Sequence, residues 1–417
     1  MRELGGRVTL DVLSSDALSV LQLWTINEPL LPNLKTLDLW KIEGPLIPFI
    51  PLFLSPRTTS ISLRFFDLNP PKVAVASVII TIPILCPELQ AICLYYPPGD
   101  PMIIAAVSKI VLTTNRTTLQ KFHVDFPLTE EASEVVYKLP NLRKLSVVTE
   151  GEGSLPSASL PNLTQLVIAC DNEEHLSRLF RGATFGKLES VVFSLRSKQI
   201  GDFLKTFERV TLSLSVQNTL SMFRVFTSCS WDPNYSSLLL FTQLVCLIIG
   251  SPCDDGCSSR VDDDVIIKLS RAMPRLKVLR LGDMPCQELT TGATAKGLVA
   301  LSLHCPDLWS LCIHFQVASL TAPPTNPGMT PNVEPTVPRT GRSFMELIVG
   351  KMSVPEESVR TVALALLRIF PRIEYIGSMD KGWRKVKDAI RAASKHRPLT
   401  TPWRNDTFIG ATPETGG

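Results

Sequence analysis

LPNLRKLSVVTEGEGSLPSASLPNLTQLVIAC, residues Leu139–Cys170, carries the phrase Leu-Pro-Asn-Leu twice, at Leu139–Leu142 and Leu160–Leu163. Each copy leads into an alternating apolar run, LRKLSV and then LTQLVI. Period-two alternation is the mark of a strand with one buried face. The pattern Leu-x-x-Leu-x-Leu, with other apolar residues substituting, extends in both directions. It reads LKTLDL from Leu34, LQAICL from Leu89, LQKFHV from Leu119, LESVVF from Leu188, LVCLII from Leu244, LKVLRL from Leu276 and LWSLCI from Leu308, with a shortened IEYI from Ile373. Successive starts from Leu34 to Leu308 are 55, 30, 23, 21, 25, 56, 32 and 32 residues apart. The two long intervals each hold a weaker copy, ISL at Ile61–Leu63 and LSL at Leu212–Leu214. The period falls in or just beyond the leucine-rich-repeat range of roughly 20–29 residues.

Proline stands two positions before the first leucine at Pro32, Pro87, Pro140, Pro161, Pro274 and Pro306. There it ends a preceding helix and costs no ladder donor at the start of a strand. Helical patterns fill the intervals. Asp100-Pro101 opens PMIIAAVSKIVL, Thr129 stands ahead of EEASEVVYKL, Asp262–Asp264 leads VIIKLSRAM with Asp264 and Lys268 four apart, and Ser353–Glu356 fits a capping box. Strand, turn, helix and turn at this spacing predict an α/β fold, a leucine-rich-repeat solenoid or horseshoe with a parallel concave sheet and outer helices. One such unit cannot bury its apolar face alone, but a stack can. The ninth repeat position holds Ile42, Glu150, Asp171, Met284 or Gln316 in place of a consistent Asn or Cys, so the repeats are irregular.

The expected organisation is a repeat solenoid over 1–316, a Pro-rich disordered loop over 317–342, a C-terminal repeat with capping helices over 343–396, and a disordered tail over 397–417. The stretch after Asp380, KGWRKVKDAIRAASKHR, reads as a basic final helix capping the stack. The most apolar window, Val73–Cys86, is 14 residues long and contains Pro83. It suits a buried helix, since a membrane span needs about 20 residues.

Of the 417 residues, 45% are hydrophobic and 19% charged, a folding composition. A net charge of +3 with no Lys/Arg-rich block gives no argument for nucleic acid or a membrane. Met1-Arg-Glu-Leu-Gly-Gly leads into no apolar signal core, and the 10 cysteines are scattered. Both features suggest a cytoplasmic or nuclear protein with reduced thiols, and the Asn-x-Ser/Thr matches at Asn115, Asn162, Asn234 and Asn405 then read as chance.

Enzyme motifs fail on inspection. Gly182–Lys187 is one residue short of a phosphate loop, with Leu188 where Ser or Thr must meet magnesium. Gly151-Glu-Gly153 lacks the third glycine of a dinucleotide fingerprint, and no Gly-x-Ser-x-Gly or His-Glu-x-x-His occurs. Cys253 and Cys257 lack two further zinc ligands nearby, and Asp262–Asp264 suits a helix start better than calcium. No catalytic residue, cofactor or metal is expected.

In Leu-x-x-Leu-x-Leu the third, fifth and seventh positions point away from the core. They supply the candidate partner-binding residues Trp40, Tyr95, His123, Asp125, Lys144, Val192, Ile248, Arg280 and His314. Trp40, Tyr95 and Arg280 are the expected anchors, being types favoured at interface hot spots. The apolar residues Val167, Val192 and Ile248 read either as a docking strip or as ground covered by a neighbouring loop. Trp40 reads equally as packed beneath an N-terminal loop.

LPNLKTLDLW, CPELQAICLYYPP, MPRLKVLRLGDMP and GLVALSLHCPDLWSLCIHFQ resemble the repeat region of fungal F-box proteins with leucine-rich repeats. PEESVRTVALALLRIFPRIEYI followed by GWRKVKDAI resembles the C-terminal end of that family. The resemblance implies a non-catalytic, substrate-recognition part of a Skp–cullin–F-box ubiquitin ligase, presenting a target protein on its concave face. The family's F-box holds a Skp-type adaptor and through it a cullin. Met1–Leu31 shows no F-box-like three-helix pattern, so adaptor and cullin are expected only if an F-box lies upstream. A stand-alone scaffold or decoy is the alternative.

Overall fold

The computed structural model describes residues 15–24, 29–66, 70–96, 100–113, 117–149, 159–171, 176, 184–195, 219–227, 235–250, 261–282, 293–321, 345–349, 353–378 and 380–394. One 13-stranded sheet runs through them, every neighbouring pair parallel, and it does not close into a barrel. Its strands, in both chain and spatial order, are β1 (Thr36–Ile42), β2 (Ser60–Phe65), β3 (Ala91–Tyr95), β4 (Lys121–Pro127), β5 (Lys144–Thr149), β6 (Gln165–Cys170), β7 (Ser190–Leu195), β8 (Met222–Thr227), β9 (Cys246–Gly250), β10 (Val278–Leu281), β11 (Ser310–Cys312), β12 (Met345–Ile348) and β13 (Ile373–Gly377). The segment after residue 342 therefore extends the sheet of the first 316 residues. A small parallel pair, Ser159–Leu160 with Thr184–Phe185, lies outside it.

The helices among the described residues are α1 (Ser15–Trp24), α2 (Lys72–Leu85), α3 (Pro101–Thr113), α4 (Glu130–Val136), α5 (Asp263–Ala272), α6 (Ala295–His304), α7 (Ala318–Thr321), α8 (Val359–Ile369) and α9 (Lys381–Ser394). Gly44–Phe53 and Tyr235–Leu240 return as 3-10 turns. Alternate strand residues such as Leu37, Leu39, Ile61, Leu63, Phe122 and Val124 are buried in one core with helix residues such as Val75, Ile79, Ile82, Ile103 and Val107. Each fully buried Leu, Ile or Val contributes roughly 1.5–3 kcal/mol of transfer free energy, so the alternation itself binds helix to sheet.

Successive strands are also stitched by one carbonyl each. Lys35 O accepts from Thr59 N and Ser60 N, Thr59 O from Gln90 N and Ala91 N, and Gln90 O from Gln120 N and Lys121 N. The same step continues through Gln120, Arg143, Thr164, Glu189, Ser221, Val245 and Lys277. The asparagines of the quoted phrase add a parallel link. Asn141 Nδ2 donates to Thr117 O at 2.7 Å, and Asn162 Nδ2 to Pro140 O at 2.9 Å. At the next turn a Cβ on Gly186 would sit 2.5 Å from Pro161 O. That glycine serves close approach between turns, while Gly182 of the phosphate-loop-like stretch lies outside the described residues.

Several expected caps form. Asp100 accepts from Met102 N at 2.9 Å and pairs with Lys72 at 2.6 Å, which holds its carboxyl below the usual range. Thr129 and Asp262 accept from Ala132 N and Val265 N. Asp263 reaches across to the next helix. Its carboxylate accepts from Thr294 N, Thr294 Oγ1 and Gly297 N at 2.8, 2.6 and 3.0 Å. No ion pair joins Asp264 to Lys268.

Three expectations require correction. The Ser353–Glu356 capping box does not form, because α8 begins at Val359 after a 3-10 turn, Glu356–Ser358, and Glu356 is engaged by Lys385. Two strands carry no recognised phrase: β8 replaces leucine with Phe223 in the same spacing, and β12 lacks the proline lead-in. Ala318–Thr321, assigned to the disordered loop, forms a helical turn. The LSL copy at 212–214 and the cysteines at 253 and 257 lie outside the described residues.

At the C-terminal end α9 packs on α8 and β13 as a cap, with Trp383 fully buried and 6.1 Å from Phe315, ring to ring. At the other end α1, not foreseen in the sequence, packs Leu18 against the Gly44–Phe53 turn. Among the described residues no helix is long and apolar enough to cross a membrane.

Candidate functional site

The second face of the sheet half-exposes alternate strand positions such as Ser62, His123, Ser146, Val167 and Val192, and buries others such as Cys93, Cys246, Ile248 and Cys312. The register aligns them in rows. One row runs Asp38, Ser62, Cys93, His123, Ser146, Val167, Val192, Arg224, Ile248, Arg280, Cys312 and Ile348. A flanking row brings Arg64 beside Tyr95 and Val148 beside Ala169, and the opposite one brings Lys121 beside Lys144.

The N-terminal end of this face is a stack. The Arg64 guanidinium lies 4.0 Å from the Trp40 ring centre and 4.4 Å from that of Tyr95, and Tyr95 in turn lies 4.5 Å from His123. A cation between two aromatic faces is held by both ring quadrupoles. Trp40 reaches this place through a break in register between Leu39 and Ile42, where Lys41 takes φ 58. A non-glycine residue in the left-handed region is strained, and such strain gathers at functional sites. Trp40 thus packs on a neighbouring arginine, where the sequence left open a place under an N-terminal loop.

Burial, reinforced by the charges of Lys121 and Arg64, drops the His123 imidazole to about 4. Its Nε2 and Asp38 Oδ1 are buried with no hydrogen-bond partner among the described residues. Asp125 Oδ1 accepts from Tyr96 N at 3.0 Å, and loss of water around the carboxyl pushes it up to about 6 despite the residue's exposed outline.

Across β5–β7 the face becomes apolar. Val148, Val167, Ala169 and Val192 are half-buried. Ile248 is only 8% exposed, with Arg224 and Arg280 on the strands either side. The apolar strip therefore reaches the surface at Val167 and Val192 and is covered at Ile248.

The C-terminal end is self-paired. Arg280 Nη2 donates to Ser310 Oγ at 3.3 Å and to Glu346 Oε2 at 3.4 Å, and Ser310 Oγ donates to Glu346 Oε2 at 2.9 Å. His314 is 8% exposed and lies against Gly282, whose φ of 90 is the left-handed backbone that favours glycine. Burial raises the Cys246 thiol, against the opposing charges of Arg224 and Arg280. Burial pushes Cys86 and Cys305 up to about 11 and about 12, which keeps these thiols protonated.

The structure thus gathers Trp40, Tyr95, His123, Asp125 and Lys144 at one end and Arg280 and His314 at the other, with Val192 and Ile248 between. Sequence reasoning missed Arg64, Arg224 and Glu346. The pattern ISLRF has the right alternation for Arg64, but its short apolar core hides it. Among the described residues no three His, Cys, Asp or Glu side chains are grouped to hold a metal. The sequence matches no family model, and no curated protein matches it.

Proposed function

We propose that the chain is a leucine-rich-repeat solenoid of F-box lineage whose open, concave face binds a target protein without doing chemistry on it, as the substrate-recognition part of a ubiquitin ligase does. The observation that carries this reading is the Trp40–Arg64–Tyr95–His123 stack on the open face of the sheet. Aromatic and arginine side chains ordered before binding lose little entropy on contact, the condition under which interface residues contribute most. Depressed basicity at His123 and raised thiol pKa values at Cys93 and Cys246 make poor nucleophiles and suit a non-catalytic surface.

The test is affinity capture of the full chain and of Trp40→Ala/Tyr95→Ala from a fungal extract, read by mass spectrometry. Partners lost only from the variant, together with a Skp-type adaptor and cullin, support the ligase reading. Variant-sensitive partners without adaptor or cullin favour a scaffold. Capture indifferent to the substitutions overturns binding at this face.

A further inference from the structure

The three cations at the N-terminal end of the open face lack carboxylate partners among the described residues. Elsewhere the chain pairs Lys72 with Asp100, Lys138 with Glu134, Arg280 with Glu346 and Lys385 with Glu356. Here Lys121 and Lys144 stand directly opposite each other on adjacent strands. Like charges so placed repel and destabilise a sheet. Arg64 is held beside two rings, 4.0 Å from the Trp40 centre and 4.4 Å from that of Tyr95, and neither ring supplies it an anionic acceptor. Neither acid at this end closes an ion pair with them: Asp125 is attracted by Arg64 at longer range while it accepts from Tyr96 N–H, and Asp38 Oδ1 is buried with no hydrogen-bond partner among the described residues.

We propose that this face takes an extended acidic segment of a partner protein, with Asp or Glu side chains against Arg64, Lys121 and Lys144 and neighbouring apolar side chains over Val148, Val167 and Val192. The proposal rests on the protein-binding reading above and specifies the partner's chemistry. Lowered basicity of His123, caused after burial by Lys121 and Arg64, reports the positive field of these two cations at the face. The apolar floor beside the cations suits peptide side chains better than a phosphate backbone, and a net charge of only +3 adds no broad attraction for nucleic acid. From β2 to β7 the strands step about 4.8 Å each, about 24 Å in all, which about seven residues of extended chain span.

The experiment is selection of random peptides of about ten residues, just over that span, displayed and panned against the full chain. The expected result is enrichment of peptides with clustered Asp or Glu next to apolar residues. Binding of the selected peptides should weaken about tenfold in Arg64→Gln and again in Lys144→Gln, and fall as salt rises. Circular dichroism melts confirm that the variants remain folded. Acidic enrichment that persists in Arg64→Gln/Lys121→Gln/Lys144→Gln overturns the proposal, as does tighter binding of a phosphoserine replacement than of the glutamate original. Selected peptides that are not acidic yet are lost with Val192→Glu overturn the acidic partner and leave the binding face standing. Peptides indifferent to both Val192→Glu and Trp40→Ala, or no enrichment over bare support, overturn both.

Discussion

Arg64 Cζ lies 4.0 Å from the centre of the Trp40 ring, and the two residues sit on different strands, 24 positions apart in the chain. The contact ties an irregular, strained end of β1 to the regular strand beside it. A double-mutant cycle with Trp40→Leu and Arg64→Met should give a coupling of about 0.5–1 kcal/mol in urea unfolding. Arg64→Lys should lose most of it, because an ammonium does not lie flat between two rings. A coupling near zero would mean that the stack forms without holding the strands.

His123 and Asp125 should oppose each other in pH. The histidine's folded pKa of about 4 lies below its usual value, so the unfolded chain takes up its proton first, and stability falls as pH drops through roughly 6.5 to 4. The carboxyl's folded pKa of about 6 lies above its usual value, so its contribution to stability is present at low pH and is lost as pH rises from roughly 4 to 6. Asp125→Asn should therefore steepen the acid-side loss of stability, and His123→Gln should reverse its slope. Melting temperatures between pH 4 and 7 check both, and parallel shifts in the two variants would refute the assignment.

Asp263 joins α5 to the start of α6 through Thr294 and Gly297. Asp263→Ala should cost about 2 kcal/mol, since it strands buried donors. Gly297→Ala should destabilise although alanine is the better helix former, because its Cβ would sit 2.7 Å from Asp263 Oδ1. In the Asp263→Ala background that penalty should shrink, leaving the fit against Ile266 Cδ1 at 3.1 Å, measurable by chemical denaturation.

The Leu-Pro-Asn-Leu turns predict a graded pair. Asn162→Ala removes one hydrogen bond at the surface and should cost about 1 kcal/mol. Gly186→Ala drives a methyl into the Pro161 carbonyl, a backbone atom that cannot swing aside, and should cost more. Equal melting temperatures for the two variants would contradict the close approach of these turns.

Trp383 is the largest fully buried side chain of the C-terminal cap. Trp383→Ala should cost about 3–5 kcal/mol and free the amides of β13 to exchange with solvent, while those of β4 and β5 stay protected. Uniform loss of protection would show the sheet to melt as one unit.

Much of this was legible in the sequence. Leucine alternation located most strands, and Asp100, Thr129 and Asp262 announced their helices, because caps and alternation act over a few residues. What stayed hidden depended on the neighbouring strand. Ile248 reads as surface in its own strand, but the register brings it between Arg224 and Arg280. Arg280 reads as an open anchor, but Glu346, 66 residues on, engages it. Glu356 had the spacing for a cap, yet Lys385 from a later helix took its carboxylate.

The carbonyl stitch from Lys35 to Lys277 has a consequence for how such a chain can change. Each carbonyl serves only the strand that follows it, so cohesion passes from neighbour to neighbour and imposes nothing on the length of chain in between. The path back from one strand to the next can be as short as the single small helix Glu130–Val136 between β4 and β5, or swell to a longer excursion, without shifting the docking of either strand. Growth and loss of sequence are thereby directed into the returns, and the spacing of side chains across the sheet stays fixed while everything around it varies.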